Sequence, residues 1–195
     1  MQRALALDPL SGLILGDVVV ETLAGPHPEQ ALAFARKAVN LYPDAPWAKL
    51  SLLDALYAAG QKAAARQMAR DLENSPAAIP EFALRSAGLA ARDGDTADAR
   101  KLLAQADDLR DSKYVPADVF AGLAAAAKDW DTLFHWLAVE QAERSTHLPY
   151  VRLNPGIPAS DPRFLDLLRR MKLPAAPPGP HAGPLRRPKT AASVP

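Results

Sequence analysis

Four histidines are the first residues to test for chemistry, because an imidazole can ligate a metal or move a proton near neutral pH. His27, His135, His147 and His181 lie far apart in the chain, and none stands in an H-E-x-x-H or other tight ligand spacing. His135, between Phe134 and Trp136 on a helical stretch, reads as a surface or groove side chain. The 195 residues include no cysteine, which excludes thiolate nucleophiles, zinc-thiolate sites and disulfides. No G-x-S-x-G, G-x-G-x-x-G or phosphate-loop pattern occurs. The closest carboxylate pairs, Asp93 with Asp95 and Asp107 with Asp108, fall at turns and helix ends, where such groups cap backbone N–H groups or stay solvated. The expectation is a non-catalytic chain with no metal and no cofactor.

The elements that position these residues recur at one interval. "ALYAAGQKAAAR" and "LAARDGDTADAR" share one shape, with Gly60 and Gly94 34 residues apart. Ala31, Ala65 and Ala99 keep the same spacing, as do Ala38, Leu72 and Ala106; Ala4, Leu7 and Pro9 align with Ala38, Leu41 and Pro43. At the next step Lys128 replaces the glycine. Each period divides into two helices. Pro46 opens "PWAKLSLLDALYAAG", because proline at a first helical position loses no hydrogen bond, and Gly60 ends it. The spacing predicts helices over 11–23 and 28–41, 46–59 and 61–75, 80–91 and 96–109, and 116–127 and 130–143, with Asp95 or Thr96 as a cap. Alanine and leucine dominate while aromatic residues make up 6%, a balance that favours helix. Helices that approach within about 8–10 Å need small side chains at the contact, and Ala31, Ala65 and Ala99, with Ala87 and Ala121, are placed to supply them.

A helix-turn-helix of this period, with a "G-x-x-x-x-A" turn as in Gly60 to Ala65 and Gly94 to Ala99 and a closing proline as in Pro9 and Pro43, resembles the tetratricopeptide repeat over about residues 1–143. It departs from that pattern at Thr22 and Ala90, where an aromatic residue is common, at Ala77, beside Pro76, and at Glu140, where a small residue is common. The resemblance implies an all-α fold, a right-handed α-solenoid of about four hairpins at 11–43, 46–76, 80–110 and 114–143. A second stretch, with Asp129, Phe134, Trp136, Leu137, Glu143, Arg144 and Ser145, then Ser160, Asp161, Pro162, Arg163 and Phe164, is similar to the ending of tetratricopeptide regions in bacterial winged-helix transcription regulators, adenylate cyclases and serine/threonine kinases. Its physics is readable directly. Asp161 caps a helix over 161–172 begun by Pro162, and Phe164, Leu165, Leu168 and Met171 form one apolar face to cover the last hairpin.

The ends of the chain differ from its body. "MQRALAL" aligns with the closing half of a second helix, and seven residues are too few to hold a helix alone in water, so this face is expected to dock on another domain or subunit. The body, 1–173, is followed by "PAAPPGPHAGPLRRPKTAASVP" over 174–195, whose seven prolines predict a disordered tail. Removing its Arg186, Arg187 and Lys189 from the 23 basic groups leaves 20 against 22 acidic ones, a body charge of −2 with no general attraction for nucleic acid. No run approaches the roughly 20 apolar residues of a membrane span, and Asp8, Pro9 and Asp17 interrupt the N-terminal apolar run where a signal peptide is continuous, so a cytoplasmic chain is expected.

In the resembled fold the first helices of successive hairpins line a concave groove that accepts an extended peptide or a helix. Carried over, the groove candidates are Leu23, Trp47, Leu50, Asp54, Tyr57, Glu81, Leu84, Arg92 and Asp118. This set is apolar with acidic edges and suits a segment bearing apolar anchors and some Lys or Arg. The implied function is a protein-interaction scaffold or, alternatively, the regulatory region of a larger bacterial signalling protein.

Overall fold

The computed structural model describes residues 2–153 and 157–174. Except for Pro174, the proline-rich tail lies outside the described residues. Every regular element among the described residues is helical. In chain order these are α1 (Gln2–Leu7), α2 (Gly12–Leu23), α3 (Ala31–Leu41), α4 (Pro46–Ala58), α5 (Lys62–Glu73), α6 (Pro80–Arg92), α7 (Ala97–Ala104), α8 (Ala106–Ser112), α9 (Ala117–Ala127), α10 (Trp130–Ala142) and α11 (Pro162–Arg170), with 3₁₀ turns at Pro28–Gln30 and Leu148–Leu153.

The boundaries follow local chemistry. The Ser11 hydroxyl accepts from the Ile14 N–H at 3.3 Å to cap α2, and the Asp129 carboxylate accepts from the Thr132 N–H at 3.2 Å to cap α10. Prolines open α4, α6 and α11. After α4 and α6 the chain turns through Gly60 (φ 74°) and Gly94 (φ 100°), a left-handed backbone open to glycine at no steric cost. The corresponding turn after α9 keeps this geometry with Lys128 at φ 57°, so the backbone path persists where the residue type does not, at about 1 kcal/mol.

The third unit departs from expectation. The single helix predicted over 96–109 is two, α7 and α8, broken at Gln105 (φ −106°, ψ 10°). Asp107 and Asp108 explain the break, since they fall in the first turn of α8, where the helix dipole favours negative charge, instead of mid-helix, where it does not. The break also frees Arg110 to lay its guanidinium 5.4 Å from the Trp136 ring centre and to pair with Glu143. The cap is settled as well: the Asp95 carboxylate accepts from the Ala97 N–H at 3.3 Å, while the Thr96 side chain makes no capping bond.

Packing is between neighbours along the chain. Substantial contacts join α2 with α3, α4 with α5, α6 with α7 and α9 with α10, and each second helix also packs on the first helix of the next pair. Helices α2, α4, α6 and α9 touch in succession and form one layer. Ala31, Ala65 and Ala99 are completely buried at the helix contacts, and Ala87 and Ala121 nearly so. The core is divided to match. Leu15, Ala38 and Ala48 form one cluster, Val19, Ala31, Ala35 and Ala55 a second, and Leu53, Leu56, Ala65, Ala69 and Leu89 a third; one large cluster runs from Leu84 through Phe120 and Trp136 to Leu168.

Polar contacts between elements add to this packing. The Tyr42 hydroxyl donates to the Leu10 carbonyl. Asp93 accepts from the Tyr57 hydroxyl at 2.8 Å, from Lys62 at 2.6 Å and from Arg66 at 2.6 Å, and these donors hold its carboxyl well below the usual carboxylate range. At the last junction Arg163 reaches Asp131 at 2.6 Å and lies 4.3 Å over the Phe134 ring. Asp161 caps α11 as expected, accepting from the Arg163 N–H at 2.9 Å, but the buried face of α11 is Phe164, Leu167 and Leu168, with Leu165 and Met171 half-buried beside it. The segment 2–7, expected to be too short for an isolated helix, is helical because α1 packs on α2.

Candidate functional site

The layer α2, α4, α6 and α9 forms one side of a cavity of about 660 Å³, and α10 with the chain segment after it forms the other. Helix α2 contributes Leu13, Gly16, Asp17 and Val20, spaced as a single helical face. Leu13 and Val20 are 78% and 42% exposed, apolar side chains left in solvent at the cavity edge. Trp47 and Ser51 come from α4, Arg85 from α6, and Asp118 with Gly122 from α9. Leu133, Leu137 and Glu140 of α10 face them, and His147, Tyr150, Val151 and Ile157 close the far end.

Glycines set the width of the space. A Cβ on Gly12 would stand 3.2 Å from Trp47 Cζ2, and one on Gly16 3.7 Å from Trp47 Cε3, so the indole lies directly on α2. Tyr42 packs beside the indole, ring centres 5.5 Å apart, and its ring too would stand 3.3 Å from a Cβ on Gly12. Across the cavity, a Cβ on Gly122 would meet nothing within 4 Å. The segment after α10 crosses back to the start of the molecule, where the Tyr150 hydroxyl donates to Asp17 Oδ1 at 3.5 Å. Burial and the nearby carboxylates of Asp17 and Glu21 push the Tyr150 phenol up.

The electrostatics of the cavity are set by carboxylates. Glu140 is 3% exposed, yet it is a carboxyl in an otherwise apolar helix face. Burial first, then the charges of Asp118 and Glu143, push it up to about 7, against a stabilising hydrogen bond from Ser145. Asp118 has His147 Nδ1 at 3.8 Å. Arg85, the cavity's fixed cation among the described residues, is 3.2 Å from Asp54 Oδ2, outside the lining. Among the described residues no group of three His, Cys, Asp or Glu side chains is placed to hold a metal ion.

Of the predicted groove residues, Trp47 and Asp118 line this cavity. Leu84 is 2% exposed and belongs to the core, because α9 covers it. Leu23 is half-buried against the Val19, Ala31, Ala35 and Ala55 cluster. Leu50 and Glu81 are half-buried outside the lining. Asp54 serves Arg85, and Tyr57 serves the Asp93 clamp with the Arg92 guanidinium 5.9 Å from its ring centre. The missed residues carry a signal in the sequence. Asp17, Ser51 and Arg85 stand 34 residues apart, so on these helices the cavity face lies one helical position along from the register of Leu50 and Leu84. Glu140 was legible as an anomaly of type, an acid where the pattern that the sequence resembles takes a small residue. No helix among the described residues is long and apolar enough to cross a membrane. No family model, curated protein or solved structure matches the chain.

Proposed function

We propose that the chain is a non-catalytic binding module of the cytoplasm, a right-handed solenoid of about four tetratricopeptide-like helix pairs that holds a segment of a partner protein on its concave side. The observation that carries this reading is the 660 Å³ cavity, with Trp47 as its floor and Leu13 and Val20 exposed at its edge. Apolar side chains left in solvent around a concavity favour an occupant that covers them. A helix 10–12 Å across fills about 400–600 Å³ per turn, so the cavity holds an anchor of about one turn or a few extended residues, with the rest of the partner running outside.

The test is capture of partners by the full chain and by the double variant Leu13→Ser/Val20→Ser, in which each substitution should change stability by only about 0.5 kcal/mol. Loss of capture in that variant, with capture retained in Tyr57→Ala, supports the cavity as the site; unchanged capture in both sinks it. A second reading, the sensor region of a larger signalling protein, is favoured by Leu7 and Leu10, which at 81% and 62% exposure offer apolar surface for a neighbouring domain. Recovery of a longer transcript joining this segment in frame to an effector domain would select it.

A further inference from the structure

The cavity carries more acid than a peptide anchor of apolar side chains requires. Three carboxylates line it, Asp17 from α2, Asp118 from α9 and Glu140 from α10. Glutamate is almost never buried to this degree unless it is paired, and among the described residues none puts a cation on Glu140. The groups that act on it have the wrong sign or no charge, and the cations of the neighbouring elements go elsewhere. Asp118 and Glu143 repel it, and Ser145 gives it a neutral hydrogen bond. Arg110 of α8 goes to Glu143, Arg170 of α11 goes to Gln141 at 2.7 Å, and Arg85 of α6 goes to Asp54. From the closing segment, His147 faces Asp118 and Tyr150 faces Asp17. Among the described residues Glu140 is therefore a buried acid with no cation of its own, in the same cavity as the Trp47 indole and the exposed Leu13 and Val20.

We propose that the cavity selects a partner segment presenting one Lys or Arg flanked by apolar side chains, its cation seated between Asp118 and Glu140 and its apolar neighbours on Trp47, Leu13 and Val20. This inference rests on the cavity being the binding site and adds to it the chemistry of the occupant. Charge complementarity at two carboxylates makes the cation selective against a neutral side chain of equal length. Glu140 must lose its proton to accept the cation, so binding strengthens as pH rises through about 7.

Random 12-residue peptides displayed on phage, selected on the full chain at pH 8 and remeasured as synthetic peptides by calorimetry, test the proposal. Selected peptides are expected to share a Lys or Arg between apolar residues. Replacing that residue with norleucine should weaken binding about tenfold at pH 8, and Glu140→Gln should cost about tenfold for the basic peptide while leaving the norleucine peptide unchanged. Moving from pH 8 to pH 6 should weaken wild type and His147→Asn alike but not Glu140→Gln, and Asp118→Asn gives an independent check at the second carboxylate. Peptides that require Leu13 and Val20 but tolerate norleucine would overturn the inference while leaving the cavity as the site. Selection of no peptide that depends on Leu13 and Val20 would overturn both.

Discussion

Gly122 offers a sharp separation of folding from binding. It lies inside α9, where glycine is about 1 kcal/mol less favourable than alanine because its backbone loses more freedom on folding. A Cβ there meets no atom within 4 Å, since it points into the cavity. Gly122→Ala should therefore stabilise the protein by about 1 kcal/mol and raise its melting temperature by about 2–4 °C, the slope for a chain of this size. Gly122→Leu places its added carbons in the space the occupant needs. Affinity for the selected peptide should fall at least tenfold, about 1.4 kcal/mol, with the fold intact. Gly88 is the internal control: a Cβ there would sit 3.8 Å from Leu123 Cδ1 in ordinary contact, and Gly88 does not line the cavity. Gly88→Ala should stabilise comparably and leave affinity unchanged. Calorimetric melting and peptide titration on the same three preparations decide the matter. If Gly122→Leu binds like wild type, the cavity is not where the occupant sits; if Gly122→Ala melts lower, its Cβ is not in open space.

Glu140 predicts a stability profile of unusual sign. Its folded-state carboxyl titrates near 7 against an ordinary value near 4.5, so between these values the folded state holds a proton that the unfolded state has released, and stability falls as pH rises. The full displacement corresponds to about 3 kcal/mol, of which about 2–3 kcal/mol falls between pH 5 and pH 8. Urea titrations of the peptide-free protein across that range should show the decline in wild type and its absence in Glu140→Gln; parallel curves would mean Glu140 is not desolvated. Ala65, completely buried between α4, α5 and α6, tests the packing. Ala65→Leu should cost about 1–3 kcal/mol by overpacking, read from the urea midpoint, and no loss would mean the helices do not approach closely there.

Much of the fold was legible because its signals are local. Pro46, Pro80 and Pro162 announce helix starts, Gly60 and Gly94 announce turns, and buried Ala31, Ala65 and Ala99 repeat at the contact between helices. The break at Gln105 was less visible, since it depends on what Asp107, Asp108 and Arg110 gain from the dipole and from Trp136. The cavity was legible only in part. A helical face is fixed to within a residue by how its helix rolls against its neighbours, and one step of 100° separates the buried Leu84 from the lining Arg85. Tyr150 could not be placed from sequence at all, because its meeting with Asp17 joins points 133 residues apart through the accumulated path of every helix between them.

The divided core has a mechanical consequence. Helices α2 to α5 are held by small, mostly alanine-lined islands, whereas α9, α10 and α11 share one broad apolar mass. Amides near the amino end should therefore trade with deuterium sooner than those around Phe120 and Trp136, local openings being easier where less surface is lost. The recess has one flank on the looser half and one on the tighter half, with the Tyr150 to Asp17 bridge between them. An occupant anchored on both flanks would act as a rivet, slowing exchange most in helices it barely touches.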